Sequence, residues 1–100
     1  MEYQIKTTNH FETWLAALKD KRAKAKIAAR LLRAQLGNLG DHKAIGGGIS
    51  EMRITDGKGY RLYYTIRGNT VIFMLIGGDK GTQQADIARA HQIKQELSHD

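Results

Sequence analysis

The chain has no cysteine and no proline among its 100 residues. Without cysteine there is neither a disulfide framework nor a thiolate metal site, which fits a reducing cytoplasm. Without proline nothing in the chain forces a helix to stop, so helix ends must be set by caps and glycines. Aromatics are few: one Trp, four Tyr and two Phe. No apolar run approaches the length of a membrane span, and the N-terminus lacks the apolar region of a signal peptide, so a cytoplasmic protein, mature as written and without a membrane partner, is expected. There is no linker, internal repeat or low-complexity tail. Residues 1–100 are expected to form one domain.

Acidic residues are also scarce. Sixteen Lys or Arg face ten Asp or Glu, a formal net charge of +6, and the pI is about 9.8. Such an excess favours polyanions, nucleic acid first. Most of it lies in residues 1–50, with nine basic and four acidic side chains, against seven and six in residues 51–100.

The stretch from Ile49 to Lys80 organises the rest. Met52, Ile54, Leu62, Tyr64 and Ile66 alternate with Glu51, Arg53, Arg61, Tyr63 and Thr65. Period-two alternation puts these sets on opposite faces of a sheet. The first face is core and the second carries the charges. Val71–Ile76 is apolar throughout, as a central strand covered on both faces would be. Asp56-Gly57-Lys58-Gly59 and Gly68-Asn69 supply the two hairpin turns, the second suited to a tight two-residue turn.

Before this stretch, Glu2–Thr7 reads as a short strand. A helix then starts at Thr8 or Asn9, with Asn9 and Glu12 at capping-box spacing. Phe11, Trp14, Leu15 and Leu18 form its apolar stripe, which makes Trp14 a core anchor rather than a platform for a base. The apolar phase slips at Asp20-Lys21. A second helix, Lys21–Leu36, is expected to pack against the first as a hairpin, capped by Asp20 and ended by Gly37 or Asn38. Arg22, Lys26, Arg30 and Arg33 recur along its outer side with no acidic residue between Lys21 and Gln35. That ridge, with Lys43, is a candidate clamp for a nucleic-acid backbone, the ordinary alternative being a solvated helix face. Residues 37–48 read as a glycine-rich loop in which His42 is a solvated histidine. A last helix, capped by Thr82, buries Ile87, Ala90, Ile93 and Leu97. His91 and His99 have no metal-ligand spacing, so no metal site and no cofactor are assigned. The expected fold is α+β: a small antiparallel sheet in the order β-α-α-β-β-β-α, with an N-terminal helical hairpin and a C-terminal helix.

Chemistry centres on Arg53, Arg61 and Lys80. The two arginines share one sheet face on adjacent strands, and Lys80 follows the third strand in Gly77-Gly78-Asp79-Lys80-Gly81-Thr82. This turn lacks the Walker spacing, which argues against a nucleoside triphosphate site. Glycines and free amides at a helix start do suit an anion. Three converging cations suit cleavage of RNA by the adjacent 2′-hydroxyl, because the phosphorane gains charge and arginine holds a phosphate in a two-pronged grip. Lys80, if neighbouring positive charge lowers its pKa, and Glu51 are the candidate bases, and Tyr63 is a candidate stacking residue or proton donor. The bland alternative for Arg53 and Arg61 is an ordinary solvated sheet face.

Five motifs in order carry a resemblance: Phe11–Leu18 (FETWLAAL), Asn38–Lys43 (NLGDHK), Gly46–Ile54 (GGGISEMRI), Gly59–Tyr64 (GYRLYY) and Gly77–Gln83 (GGDKGTQ). The chain resembles the RelE/ParE superfamily of toxin–antitoxin killers, and within it the addiction-module killer, HigB-like, branch. The resemblance implies a ribosome-dependent, metal-independent mRNA endoribonuclease. It also implies a cognate antitoxin, a small helix-turn-helix protein through which alone the toxin reaches operator DNA. Arg61 matches the catalytic arginine after Gly-Tyr in RelE-type toxins. Arg53 falls at a lysine of the preceding strand, and Lys80 near a post-strand arginine. The chain departs from the pattern in having no late tyrosine to stack on the substrate base, and no evident terminal histidine group beyond His99. Two rivals stand beside this reading: a ParE-like poison of DNA gyrase without nuclease activity, and a noncatalytic domain using the helix ridge on nucleic acid.

Overall fold

The computed structural model describes residues 2–55 and 57–97. The elements run β1 (Gln4–Thr7), α1 (Asn9–Ala17), α2 (Lys21–Gln35), β2 (His42–Gly46), β3 (Ile49–Ile54), β4 (Tyr60–Arg67), β5 (Val71–Gly78), a short 3₁₀ turn (Lys80–Thr82) and α3 (Gln83–Leu97). The α+β architecture and the helical hairpin are as expected. The sheet has five strands, not four, in the order β1-β5-β4-β3-β2. Its first pair is parallel: β1 lies beside β5, while the other pairs are antiparallel. The sheet is therefore mixed.

The added strand, β2, lies within the expected loop 37–48. It pairs His42 with Met52, Lys43 with Glu51 and Ala44 with Ser50, and its register slips between Ala44 and Gly46. Only Ile45 of its five residues is part-buried. A two-sided polar edge strand has no alternation to announce it. The glycines that follow answer to α3: a Cβ on Gly47 would meet the His91 ring, and one on Gly48 would meet Lys94.

Local chemistry explains the helix ends. Thr8, not Asn9, caps α1: its hydroxyl accepts from Phe11 N at 3.0 Å and donates to Leu75 O at 2.6 Å. One side chain thereby starts the helix and ties it to β5. Asp20 caps α2 by accepting from Ala23 N, and Gly37 follows that helix at φ +96°. Gly68 and Asn69 both have positive φ, the geometry of a primed hairpin turn.

Two cores flank the sheet. On the α1–α2 side, Phe11, Ile27, Met52, Leu62, Tyr64 and Met74 are among the buried residues, with Trp14 packed against them. Trp14 is 5.7 Å from Phe11 and 6.4 Å from Tyr60, ring to ring, which makes it the expected core anchor. On the other side, Ile49, Tyr63, Leu75, Ala90 and Ile93 are buried under α3. The face read as charged is therefore half covered. Ile66, read as core, is 37% exposed, because β4 outruns β3, whose pairing stops at Ser50–Tyr64. Among the described residues no helix is long and apolar enough to cross a membrane.

Candidate functional site: a basic cleft at the open end of the sheet

Arg53 on β3 stands directly opposite Arg61 on β4. Like charges in that position repel, and each arginine is held by its own acid. Asp41 Oδ1 accepts from Arg53 Nη2 at 2.8 Å and from Nε at 3.2 Å. Arg61 Nη1 is 3.6 Å from Glu51 Oε1, an ion pair too long for a hydrogen bond. Glu51 is wholly buried and also faces Lys43 Nζ at 4.0 Å. Neither Glu51 oxygen, nor Arg61 Nε, has a hydrogen-bond partner among the described residues.

Lys80 opens the 3₁₀ turn after β5, beside Gly59 of the β3–β4 hairpin. Arg53, Arg61 and Lys80 line one cleft of about 440 Å³ together with Lys58, Tyr60 and Asp41. The three cations singled out in the sequence thus meet. In the sequence Lys58 stands only as a turn residue. Its signal was its place in the hairpin that joins the two arginine-bearing strands.

Other candidates are placed differently. Tyr63 is fully buried in the α3-side core and cannot stack on a base. Its hydroxyl has no hydrogen-bond partner among the described residues. Burial, then the negative charge of Glu51 and of Asp86, pushes its pKa up to about 12. Glu51 points into the protein rather than into the cleft, so its geometry is that of a counter-charge to Arg61, not of an accessible base. Arg30 leaves the ridge and turns inward. It is 8% exposed and donates to the carbonyls of Arg53, Leu39 and Asp41 at 2.6, 3.1 and 3.0 Å. It pins the 39–41 segment to β3 and is not a clamp for RNA. Burial and neighbouring Arg33 lower its pKa.

Lys26 and Arg33 remain outside and line a second cleft with Arg30 and Arg53. Arg22 is exposed and lines neither cleft, and Lys43 sits over Glu51 on β2. His42 is exposed, with Nδ1 2.8 Å from Gly40 O, and is outside the cleft. His99 lies outside the described residues. Among the described residues, no group of three or more His, Asp or Glu side chains could hold a metal ion.

The Gly77-Gly78 pair does not cradle an anion. A Cβ on Gly77 would run into the Trp14 ring, and one on Gly78 into the Asp86 carboxylate. Close packing of α1 and α3 on β5 accounts for both glycines. In the following turn Gly81 N is also occupied, donating to the Asp79 side chain at 2.8 Å; Asp79 caps the turn, and the Thr82 hydroxyl completes the capping box by accepting from Asp79 N. The Thr82 hydroxyl also donates to Asp86, at the start of α3.

Over 97 residues the chain is 50% identical to an uncharacterized protein of Haemophilus influenzae, covering 97% of this chain and 98% of that one. Its fold is similar to that of an arginine-to-alanine double mutant of the Escherichia coli toxin RelE in the free state. The TM-score is 0.72 at 13% identity, with 94% of this chain and 98% of the other covered. The fold is thus RelE-like. The family described as phage derived protein Gp49-like (DUF891) matches residues 13–98, and the chain belongs to that family.

Proposed function

We propose that this protein is the toxin of a type II toxin–antitoxin system, of the HigB-like kind, and that it cleaves messenger RNA on the ribosome in the cytoplasm. One observation carries the reading: on a RelE-like fold, Arg53, Arg61, Lys58 and Lys80 surround a cleft large enough for a nucleotide. A phosphodiester seated there meets two guanidinium groups and two ammonium groups. The 2′-oxygen attacks phosphorus, its proton passing to water, and the P–O5′ bond breaks. Arg61 and Arg53 hold the charge that gathers on the phosphorane. Lys80, exposed at the rim, hands a proton to the departing 5′-oxygen. The products are a 2′,3′-cyclic phosphate and a 5′-hydroxyl end. The chain's own residues carry these steps without a metal. A cognate antitoxin with an acidic segment would silence the protein by covering the cleft.

Expression of the wild type is expected to arrest growth and to produce mRNA ends detectable by primer extension. Arg61→Ala should reduce cleavage about 10²–10³-fold, the usual scale for losing one transition-state donor. Unchanged cleavage and full toxicity in that variant would sink the assignment. Induction of the DNA-damage response without mRNA cleavage would point instead to a gyrase poison.

A further inference from the structure

We propose that Arg53 belongs to a second phosphate subsite, in the cleft between β3 and α2, and that the Asp41 carboxylate holds the phosphate's place there in the free protein. The proposal rests on the reading of the ligand as single-stranded RNA. The second cleft, of about 320 Å³, is lined by Lys26 and Arg33 of α2 as well as Arg53. Asp41, Arg53, Ile54 and Thr55 line both clefts, so the two are joined at the Asp41–Arg53 pair. A strand whose scissile phosphate lies among Arg61, Arg53, Lys58 and Lys80 can leave past Arg53, which borders both clefts, its next phosphate falling on the α2 side between Arg53 and Arg33.

Asp41 is built to occupy that point and to yield it. One carboxylate oxygen takes two N–H groups of the Arg53 fork, as a phosphate oxygen does. The side chains are 45% and 38% exposed, and a pair so placed holds weakly against a competing anion. The fold uses the backbone of Asp41 instead: its carbonyl accepts from Arg53 N at 2.9 Å and from Arg30 Nη2 at 3.0 Å. Arg30 also holds Leu39 O, so the loop stays in place when the carboxylate is removed or displaced.

The test is binding, not cleavage. A fluorescein-labelled 2′-O-methyl oligoribonucleotide, which cannot be cut, is titrated against wild type, Asp41→Asn, Arg53→Ala and the double variant over a series of salt concentrations. Asp41→Asn should bind about five- to tenfold more tightly, with a log K against log salt slope steeper by about 0.7, one additional phosphate contact. In the Arg53→Ala background the same change should gain much less. Asp41→Ser repeats the test with a different neutral side chain. Equal gains in both backgrounds mean only the loss of a repelling charge and overturn the proposal. So does no gain, or no binding by any of the four proteins. Cleavage by Arg61→Ala decides the nuclease reading separately: a protein that binds as described but cuts nothing keeps the subsite and loses the enzyme.

Discussion

Tyr63 shows how much a single side chain's surroundings restrict what it can do. Alternation puts it on the same face as Arg61, and on an open sheet it would be free to meet a base. Here α3 covers it. Its hydroxyl is buried without a partner among the described residues, a net cost that removal would relieve. Tyr63→Phe is therefore expected to leave cleavage intact and to hold or raise stability by about 1 kcal/mol in urea unfolding at neutral pH. The pH dependence carries a sign. The folded state keeps the phenol neutral up to about 12, while the unfolded chain ionises near 10.0. Stability from this group is thus fully present below pH 10 and is lost as pH rises from 10 to 12. The loss is on the order of 2–3 kcal/mol. Tyr63→Phe should lose correspondingly less over that interval. Equal losses in both proteins would mean that the phenol titrates freely in the folded state. Glu51, beside it, is the other residue whose role is set by burial. Its charge steadies Arg61 against Arg53 without reaching the cleft.

At the scale of the element, α2 divides its basic residues between two tasks. Arg30 donates three hydrogen bonds to carbonyls of the 39–41 loop and β3, whereas Arg33 lines the outer cleft. Arg30→Ala should cost about 2–4 kcal/mol, since three buried or part-buried carbonyls lose a charged donor. Arg33→Ala should stay within about 0.5 kcal/mol of wild type. Urea unfolding separates the two, and amide exchange should show the loss at Arg30 concentrated in residues 39–44. The spacing of four, four and three made these residues look alike, and nothing in periodicity distinguishes a guanidinium that finds carbonyls from one that finds solvent. The same limit hid β2, whose glycines and polar residues carry no period. By contrast the strands from Ile49 to Ile76, the hairpin of α1 and α2 and the stripe on α3 were legible, because each buries an apolar face, whereas the two glycines by which β5 runs on to Gly78 look in the sequence like the start of a turn. The meeting of Arg53 and Arg61 was legible for the same reason, since register follows from alternation and the turn. Lys58 was not, because loop residues have no periodicity to place them.

Across the whole molecule, the two helical layers meet β5 at adjacent glycines that face opposite ways. Gly77 admits Trp14 from the α1 side and Gly78 admits Asp86 from the α3 side. The backbone at both is ordinary, so a substitution acts through collision and not through φ. Each alanine should destabilise by about 1–3 kcal/mol, as overpacking does. Their effects on the cleft should differ. Gly77→Ala displaces Trp14 in the core behind the sheet, and the folded protein should keep its affinity for the uncleavable oligoribonucleotide. Gly78→Ala pushes on Asp86 and on Thr82, the last residue of the turn that begins with Lys80. It should therefore lower affinity and cleavage while costing no more stability than its neighbour. Melting temperature and fluorescence anisotropy on the two variants make the comparison. If both lose affinity equally, the cleft depends on general stability. If only Gly78→Ala does, the α3 layer positions Lys80 while the α1–α2 layer supports the sheet from behind.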